Sequence, residues 1–211
     1  FVPKYVSLTK ASLSDEQIDE IFTSIKKAIW CSKGKASRFL MKSPGLIPYL
    51  PMVRELFPDA KYVHLVRDPR PCANSLIKLA QKTIAQGEKL ARAKKKFEYG
   101  GKTPAAYPHL PNLHEYLDKY GIASIRTAAN IWKDGMDFVE NVKASLDHLF
   151  EIRFEDILMD PEKSIRDIFE FCELRMPDQT HHPVWENIRG IGTIHHKNEY
   201  TDFELIEQIC K

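Results

Sequence analysis

Residues Lys61 to Leu76, KYVHLVRDPRPCANSL, determine how the rest of the chain is interpreted. Their first half is rich in β-branched, aromatic and aliphatic residues, and no breaker occurs before Pro69, which predicts a buried parallel strand ending near Val66. Asp68 can accept hydrogen bonds from the free N–H groups of a following helix, and Pro69 suits the first helical position. The segment therefore predicts a strand, a tight turn and a helix.

Two side chains of this segment are candidates for binding an anion. Arg67 lies at the carboxyl end of the predicted strand, where open α/β sheets bind their ligands. Ser75 lies two turns into the predicted helix. A guanidinium beside a hydroxyl and a helix start is a combination that binds phosphate. The alternative is an arginine that caps a carbonyl group and a serine that faces solvent.

Two further segments predict strands of the same sheet, at about residues 38–42 and 149–154. Helical patterns separate them from the strand at about 61–66, and right-handed crossovers would then place all three in one parallel sheet flanked by helices. The predicted fold class is α/β, as a single domain over residues 1–211. An irregular basic insertion is expected at about residues 87–119, where glycines and prolines follow a run of lysines.

Three motifs in this order along the chain resemble those of sulfotransferases that use PAPS (3′-phosphoadenosine 5′-phosphosulfate). VRDPR with Ser75 eight positions after Arg67 resembles the 3′-phosphate-binding motif of that family. Lys42-Ser43-Pro44 resembles a turn in its acceptor site, and RFEDI at residues 153–157 resembles its Tyr-Glu-Asp motif. The resemblance implies a P-loop-NTPase-like sulfotransferase fold, PAPS as the sulfonate donor, and Arg67 and Ser75 as the residues that bind its 3′-phosphate.

The sequence departs from the family pattern in three places. Pro44 stands where cytosolic members have a catalytic histidine, so the catalytic residue is unknown. Phe154 replaces a tyrosine that packs near the adenine in those members. No glycine-containing loop for the 5′-phosphosulfate is found, and the first residue is Phe1. We therefore expect the domain to be N-terminally incomplete, inactive by itself, and to expose an apolar edge or face of its sheet.

The function that the resemblance implies is transfer of a sulfonate from PAPS to a hydroxyl or amine acceptor. A basic run at residues 89–96 would suit a polyanionic acceptor such as a glycan, although it also fits a solvated helix face. The alternative is a non-catalytic sulfotransferase-like protein that binds a nucleotide or a polyanion. A P-loop nucleotide kinase shares the architecture, but no Walker loop is found.

Composition excludes few other classes of function. A net charge of +2 does not by itself indicate nucleic acid, and no apolar run approaches the ~20 residues of a transmembrane helix. The four histidines of the tail lack a ligand spacing typical of zinc, so no metal is expected. Four cysteines without C-x-x-C spacing leave the disulfide state open. The compartment is also open, between the Golgi lumen for a carbohydrate sulfotransferase and the cytoplasm.

Overall fold

Two parallel strands and eight α-helices make up the described part of the chain, which comprises residues 8–32, 37–92, 107–176 and 201–211 of a computed structural model. The strands are β1 (Tyr62–Val66) and β2 (Leu149–Arg153). The helices are α1 (Asp15–Trp30), α2 (Leu50–Leu56), α3 (Pro69–Arg92), α4 (Leu113–Tyr120), α5 (Ile125–Lys143), α6 (Phe154–Met159), α7 (Pro161–Phe171) and α8 (Phe203–Cys210). Short 3₁₀ helices occupy Lys10–Ser12 and Pro44–Tyr49.

The sheet is parallel, and helices flank it, so the predicted α/β fold class is confirmed. β1 pairs directly with β2, from Tyr62 beside Leu149 to Val66 beside Arg153. Both strands therefore end at the same level, and the chain leaves each of them into a helix. This common end positions the candidate site described below.

The prediction of a strand at about residues 38–42 is wrong. This segment is irregular, and its apolar side chains are largely exposed, with Leu40 at 90%. A strand needs a neighbour for its backbone hydrogen bonds, and the described residues provide none here. The segment lies instead at the end of α7, where Arg38 donates to the carbonyl oxygen of Cys172. A cation at that position is stabilised by the free carbonyl groups of a helix end.

The two faces of β1 differ, contrary to the expectation of a buried strand. Tyr62 packs on a cluster from α2, α5 and the turn before β2, formed by Leu50, Val139 and Leu146. On the opposite face, Val63 is 40% exposed and Leu65 is 50% exposed. α7 covers the neighbouring strand on that face, since Phe171 stacks on Phe150 at 5.3 Å. The apolar face of β1 is therefore open in the part of the chain that the structure describes.

The larger core is helical and lies where α3, α5 and α8 meet. Small side chains at the contact let helices approach closely, and four alanines have no exposed surface there: Ala73 and Ala80 of α3, and Ala128 and Ala129 of α5. Ile206 of α8 is also fully buried in this cluster. The packing places α8 against both α3 and α5, next to the start of α3.

The stretch expected to be irregular at about residues 87–119 is helical at both of its ends. α3 continues through Gly87 to Arg92, because a single glycine is tolerated inside a helix. α4 occupies Leu113–Tyr120 and buries Leu113. Residues 93–106, with most of the predicted basic run, lie outside the described residues.

Candidate functional site

The site is formed where β1 and β2 end side by side. Because Val66 and Arg153 are the last paired residues, the next residue of each chain segment, Arg67 and Phe154, follows at the same end of the sheet. The guanidinium carbon of Arg67 lies 4.5 Å from the centre of the Phe154 ring, in a cation–π contact. The Arg67 side chain is therefore held at the carboxyl end of the sheet by the first residue of α6, the helix that follows β2.

The second arginine of the turn, Arg70, is engaged by carboxylates. Its Nε donates to Asp68 Oδ1 at 3.0 Å, and its Nη1 donates to Glu207 Oε1 of α8 at 3.0 Å. The hydrogen bond from Arg70 holds the pKa of the Asp68 carboxyl below its ordinary value. By contrast, no carboxylate of the described residues lies within ion-pair distance of Arg67. Within the described contacts, Arg70 is thus engaged by the turn and by α8, whereas no carboxylate pairs with Arg67.

Glu155, the second residue of α6, fixes the backbone of the same turn. Its Oε1 accepts from the backbone N–H of Asp68 at 2.9 Å. Its Oε2 is buried and has no hydrogen-bond partner among the described residues, and the nearest cation is Arg153 Nε at 3.9 Å. The turn after β1 is consequently attached to the start of α6 at two adjacent residues.

The start of α3 is held by contacts with the carbonyl group of Arg67 and with the segment before α8. The Cys72 thiol points to the carbonyl oxygen of Arg67 at 4.0 Å, and burial raises the pKa of that thiol. Asn74, only 7% exposed, donates to the carbonyl oxygen of Thr201 at 3.1 Å and accepts from the Thr201 N–H at 3.2 Å. Asn74 thereby joins α3 to Thr201, two residues before the start of α8.

The site residues that the sequence singled out are Arg67, Ser75 and Lys42. Arg67 is partly buried at the end of β1, and Ser75 lies on the exposed side of α3, seven residues into that helix. Among the residues that the structure describes, the Ser75 hydroxyl makes no hydrogen bond. Lys42 is exposed in the irregular segment before the Pro44–Tyr49 turn, and no contact joins it to Arg67 or Ser75. The structure therefore brings Arg67 to the strand end and leaves Lys42 outside the sheet.

The contacts that Phe154 and Glu155 make with the turn after β1 were not predicted. The sequence left an adenine contact of Phe154 open, and in the structure the ring lies against Arg67. The signal that could have found this contact is the parallel pairing itself. Two strands of equal length that end together place the residues after them side by side.

Neither a metal-binding group nor a membrane-spanning helix is present in the described ranges. No group of three His, Cys, Asp or Glu side chains is arranged there to hold a metal ion. In the same ranges, no helix is both long and apolar enough to cross a membrane. The four tail histidines, His181, His182, His195 and His196, lie outside the described residues.

The parallel strands and the helices around them define an α/β protein, and within the described residues no hydrogen bond or ion pair engages the guanidinium of Arg67 at the end of β1. Comparison with known families gives this class a narrower identity, because residues 4–178 match the sulfotransferase family. The chain belongs to that family. Neither a curated protein nor a solved structure matches it. The family assignment supports a transferase that handles sulfonate groups.

Proposed function

We propose that the protein transfers a sulfonate group from PAPS to a hydroxyl or amine acceptor, with Arg67 and Ser75 binding the 3′-phosphate of the donor. The observation that carries the proposal is the difference between the two arginines of the turn. Arg70 is neutralised by Asp68 and Glu207, whereas Arg67 has no carboxylate partner in the described part of the chain. A partly buried cation without an anion favours binding of an anionic ligand.

The residues present suit the 3′-phosphate end of PAPS. The guanidinium of Arg67 offers N–H donors in a planar fork, the geometry that phosphate oxygens accept. The exposed hydroxyl of Ser75 can donate one more hydrogen bond from α3. When bound, PAPS supplies an activated sulfonate, and the leaving group is PAP, the 3′,5′-bisphosphate. Charge-assisted hydrogen bonds from Arg67 would orient the nucleotide, and the base that takes the acceptor proton is not assigned.

The acceptor is the least constrained part of the proposal. A carbohydrate is one candidate, because the basic run at residues 89–96 would attract a polyanionic glycan. The second candidate function is a non-catalytic protein that binds a nucleotide or polyanion. The position of Lys42 favours this alternative, since an exposed lysine outside the sheet is poorly placed to stabilise charge on a transferring sulfonate.

The test is titration calorimetry of the full-length protein with PAP and with adenosine 5′-phosphosulfate, which lacks the 3′-phosphate. A charged hydrogen bond contributes about 1.5–3 kcal/mol, so Arg67→Ala should weaken PAP binding by roughly one to two orders of magnitude. Ser75→Ala should weaken it less, because a hydroxyl is an uncharged donor. Affinity for adenosine 5′-phosphosulfate should change little in both variants.

Arg166→Ala is the matched control, since Arg166 is a surface arginine that pairs with Glu162 on α7. It should bind both nucleotides as the wild-type protein does. Equal losses for the two nucleotides in Arg67→Ala would refute the 3′-phosphate assignment. If PAP binds with the expected selectivity but no sulfonate reaches any of a panel of hydroxyl and amine acceptors, the non-catalytic alternative is favoured.

A further inference from the structure

The guanidinium carbon of Arg67 lies over the Phe154 ring, and no hydrogen bond of the described residues engages the guanidinium. A ring stacked on a guanidinium covers its face, whereas the N–H donors of arginine point outward in its plane. At 4.5 Å from the ring centre, the guanidinium can keep this contact while its edge binds a phosphate. Phe154 therefore does not compete with an anionic ligand, as a carboxylate in the same place would.

The neighbouring residue acts on the backbone of the same turn. Glu155 accepts from the N–H of Asp68, the residue that directly follows Arg67. This hydrogen bond fixes the peptide between Arg67 and Asp68, which adjoins the Cα that carries the arginine side chain. One carboxylate oxygen is thus used on a backbone donor, and the other is buried and 3.9 Å from Arg153.

Asp68, the carboxylate within the turn itself, is engaged by Arg70. Asp68 accepts three hydrogen bonds from the Arg70 side chain and one from the Arg70 N–H. An aspartate next to Arg67 in sequence could otherwise form an ion pair with it and block the anion site. The described contacts assign each carboxylate of the turn to a partner other than Arg67.

We propose that Phe154 and Glu155 are positioning residues for Arg67. Phe154 restricts the rotamers of the arginine side chain, and Glu155 fixes the peptide that carries it, so that the guanidinium edge is oriented before the ligand binds. Preorganisation of this kind increases affinity by reducing the conformational entropy lost on binding. This inference rests on the proposed function, because it assumes that Arg67 binds the 3′-phosphate.

The test for Phe154 compares two substitutions in the full-length protein by calorimetry with PAP and with adenosine 5′-phosphosulfate. Phe154→Leu removes the ring and should weaken PAP binding by about three- to tenfold, the effect of losing one cation–π contact. Phe154→Tyr keeps the ring and should bind PAP within about twofold of the wild-type protein. Binding of adenosine 5′-phosphosulfate should change little in both variants. A purely structural role would instead lower both affinities together, in parallel with the melting temperature.

Glu155 is tested by a pair of variants with opposite expected results. Glu155→Gln keeps an oxygen that accepts from the Asp68 N–H and removes a negative charge near the anion, so PAP affinity should be equal or higher. Glu155→Ala removes the acceptor and should weaken PAP binding by about two- to tenfold despite the same loss of charge. If the alanine variant binds PAP as tightly as the glutamine variant, the proposed role of Glu155 is wrong.

The outcomes separate this inference from the proposed function. A wild-type protein that binds the two nucleotides equally would refute the 3′-phosphate site and this inference with it. A wild-type preference for PAP that Phe154→Leu leaves unchanged would refute the positioning role alone. Melting temperatures of all variants identify any loss of affinity that follows from loss of folded protein.

Discussion

Asn74 is expected to be a principal attachment of the C-terminal helix, and its substitution gives the sharpest test of the fold. The side chain is almost fully buried and makes two long-range hydrogen bonds, a donor and an acceptor bond, to the backbone of Thr201. A third bond, to the carbonyl oxygen of Arg70 at 3.0 Å, is local to α3. Asn74→Ala removes all three, and it leaves two polar backbone groups of Thr201 to find other partners.

The magnitude follows from the two long-range bonds. At about 0.5–1.5 kcal/mol each, they contribute about 1–3 kcal/mol to the free energy of unfolding. A loss of about 2 kcal/mol lowers the melting temperature of a chain of this size by about 4–8 °C. Asn130→Ala is the matched control, because Asn130 makes the same local bond, to the carbonyl oxygen of Arg126 at 2.8 Å. None of the described contacts joins the Asn130 side chain to a distant segment, so this variant should stay within about 0.5 kcal/mol of the wild-type protein.

Urea unfolding followed by circular dichroism measures both variants, and amide hydrogen exchange locates the effect. The N–H of Thr201 donates to Asn74, so its exchange should accelerate in Asn74→Ala and not in Asn130→Ala. Equal unfolding midpoints for the two variants would refute the argument, because the long-range bonds would then contribute nothing beyond the local one. Unchanged protection of Thr201 would refute the contact itself.

Three further predictions concern stability and reactivity. Gly135→Ala should raise the free energy of unfolding by about 0.5–1 kcal/mol, because the nearest side-chain atom to an added Cβ is at an ordinary contact distance of 3.7 Å. Gly121→Ala should lower it by about 1–3 kcal/mol, because Gly121 has a φ of +83°, and urea titrations that give both changes the same sign would contradict this. Burial raises the pKa of the Asp134 carboxyl above its ordinary value, so the folded state binds that proton more tightly than the unfolded state. Stability should therefore fall as the pH rises from the unfolded-state pKa through the folded-state pKa. Asp134→Asn should flatten this dependence in urea titrations at several pH values, and an unchanged profile would oppose it. Iodoacetamide at pH 8 should label exposed Cys31 well before Cys210, because burial raises the pKa of the Cys210 thiol to about 11. Mass spectrometry measures the two labelling rates, and equal rates would count against the burial of Cys210.

The parts of the fold that depend on neighbouring residues were predictable from the sequence. β1 and the start of α3 follow from a β-branched run, a capping aspartate and Pro69, all within one short segment. The helix caps at Ser14 and Asp160 are equally local, because each side chain accepts a hydrogen bond from the backbone N–H three residues further along the chain. Each of these signals acts over a few residues and needs no distant partner.

The parts that depend on tertiary partners were not predictable in the same way. Residues 38–42 have the composition of a strand, but a strand forms only where another strand accepts its hydrogen bonds. Arg67 could be predicted as a site residue because it follows β1 directly. Its contact with Phe154 requires in addition that β1 and β2 are direct neighbours in this register, which the composition of neither segment specifies. The engagement of Arg70 by Glu207 of α8 is likewise not specified by the composition of either segment.

The register of the sheet has a consequence for how the sequence can change over evolution. The turn after β1 and the start of α6 are 87 positions apart, yet their backbones and side chains meet at adjacent residues. A substitution in one segment therefore alters the selective value of residues in the other, although the two are coded far apart. Among relatives of this chain, we expect an aromatic residue at position 154 to persist where Arg67 persists, and both to be lost together. An alignment in which the two positions vary independently would argue that the contact has no adaptive value.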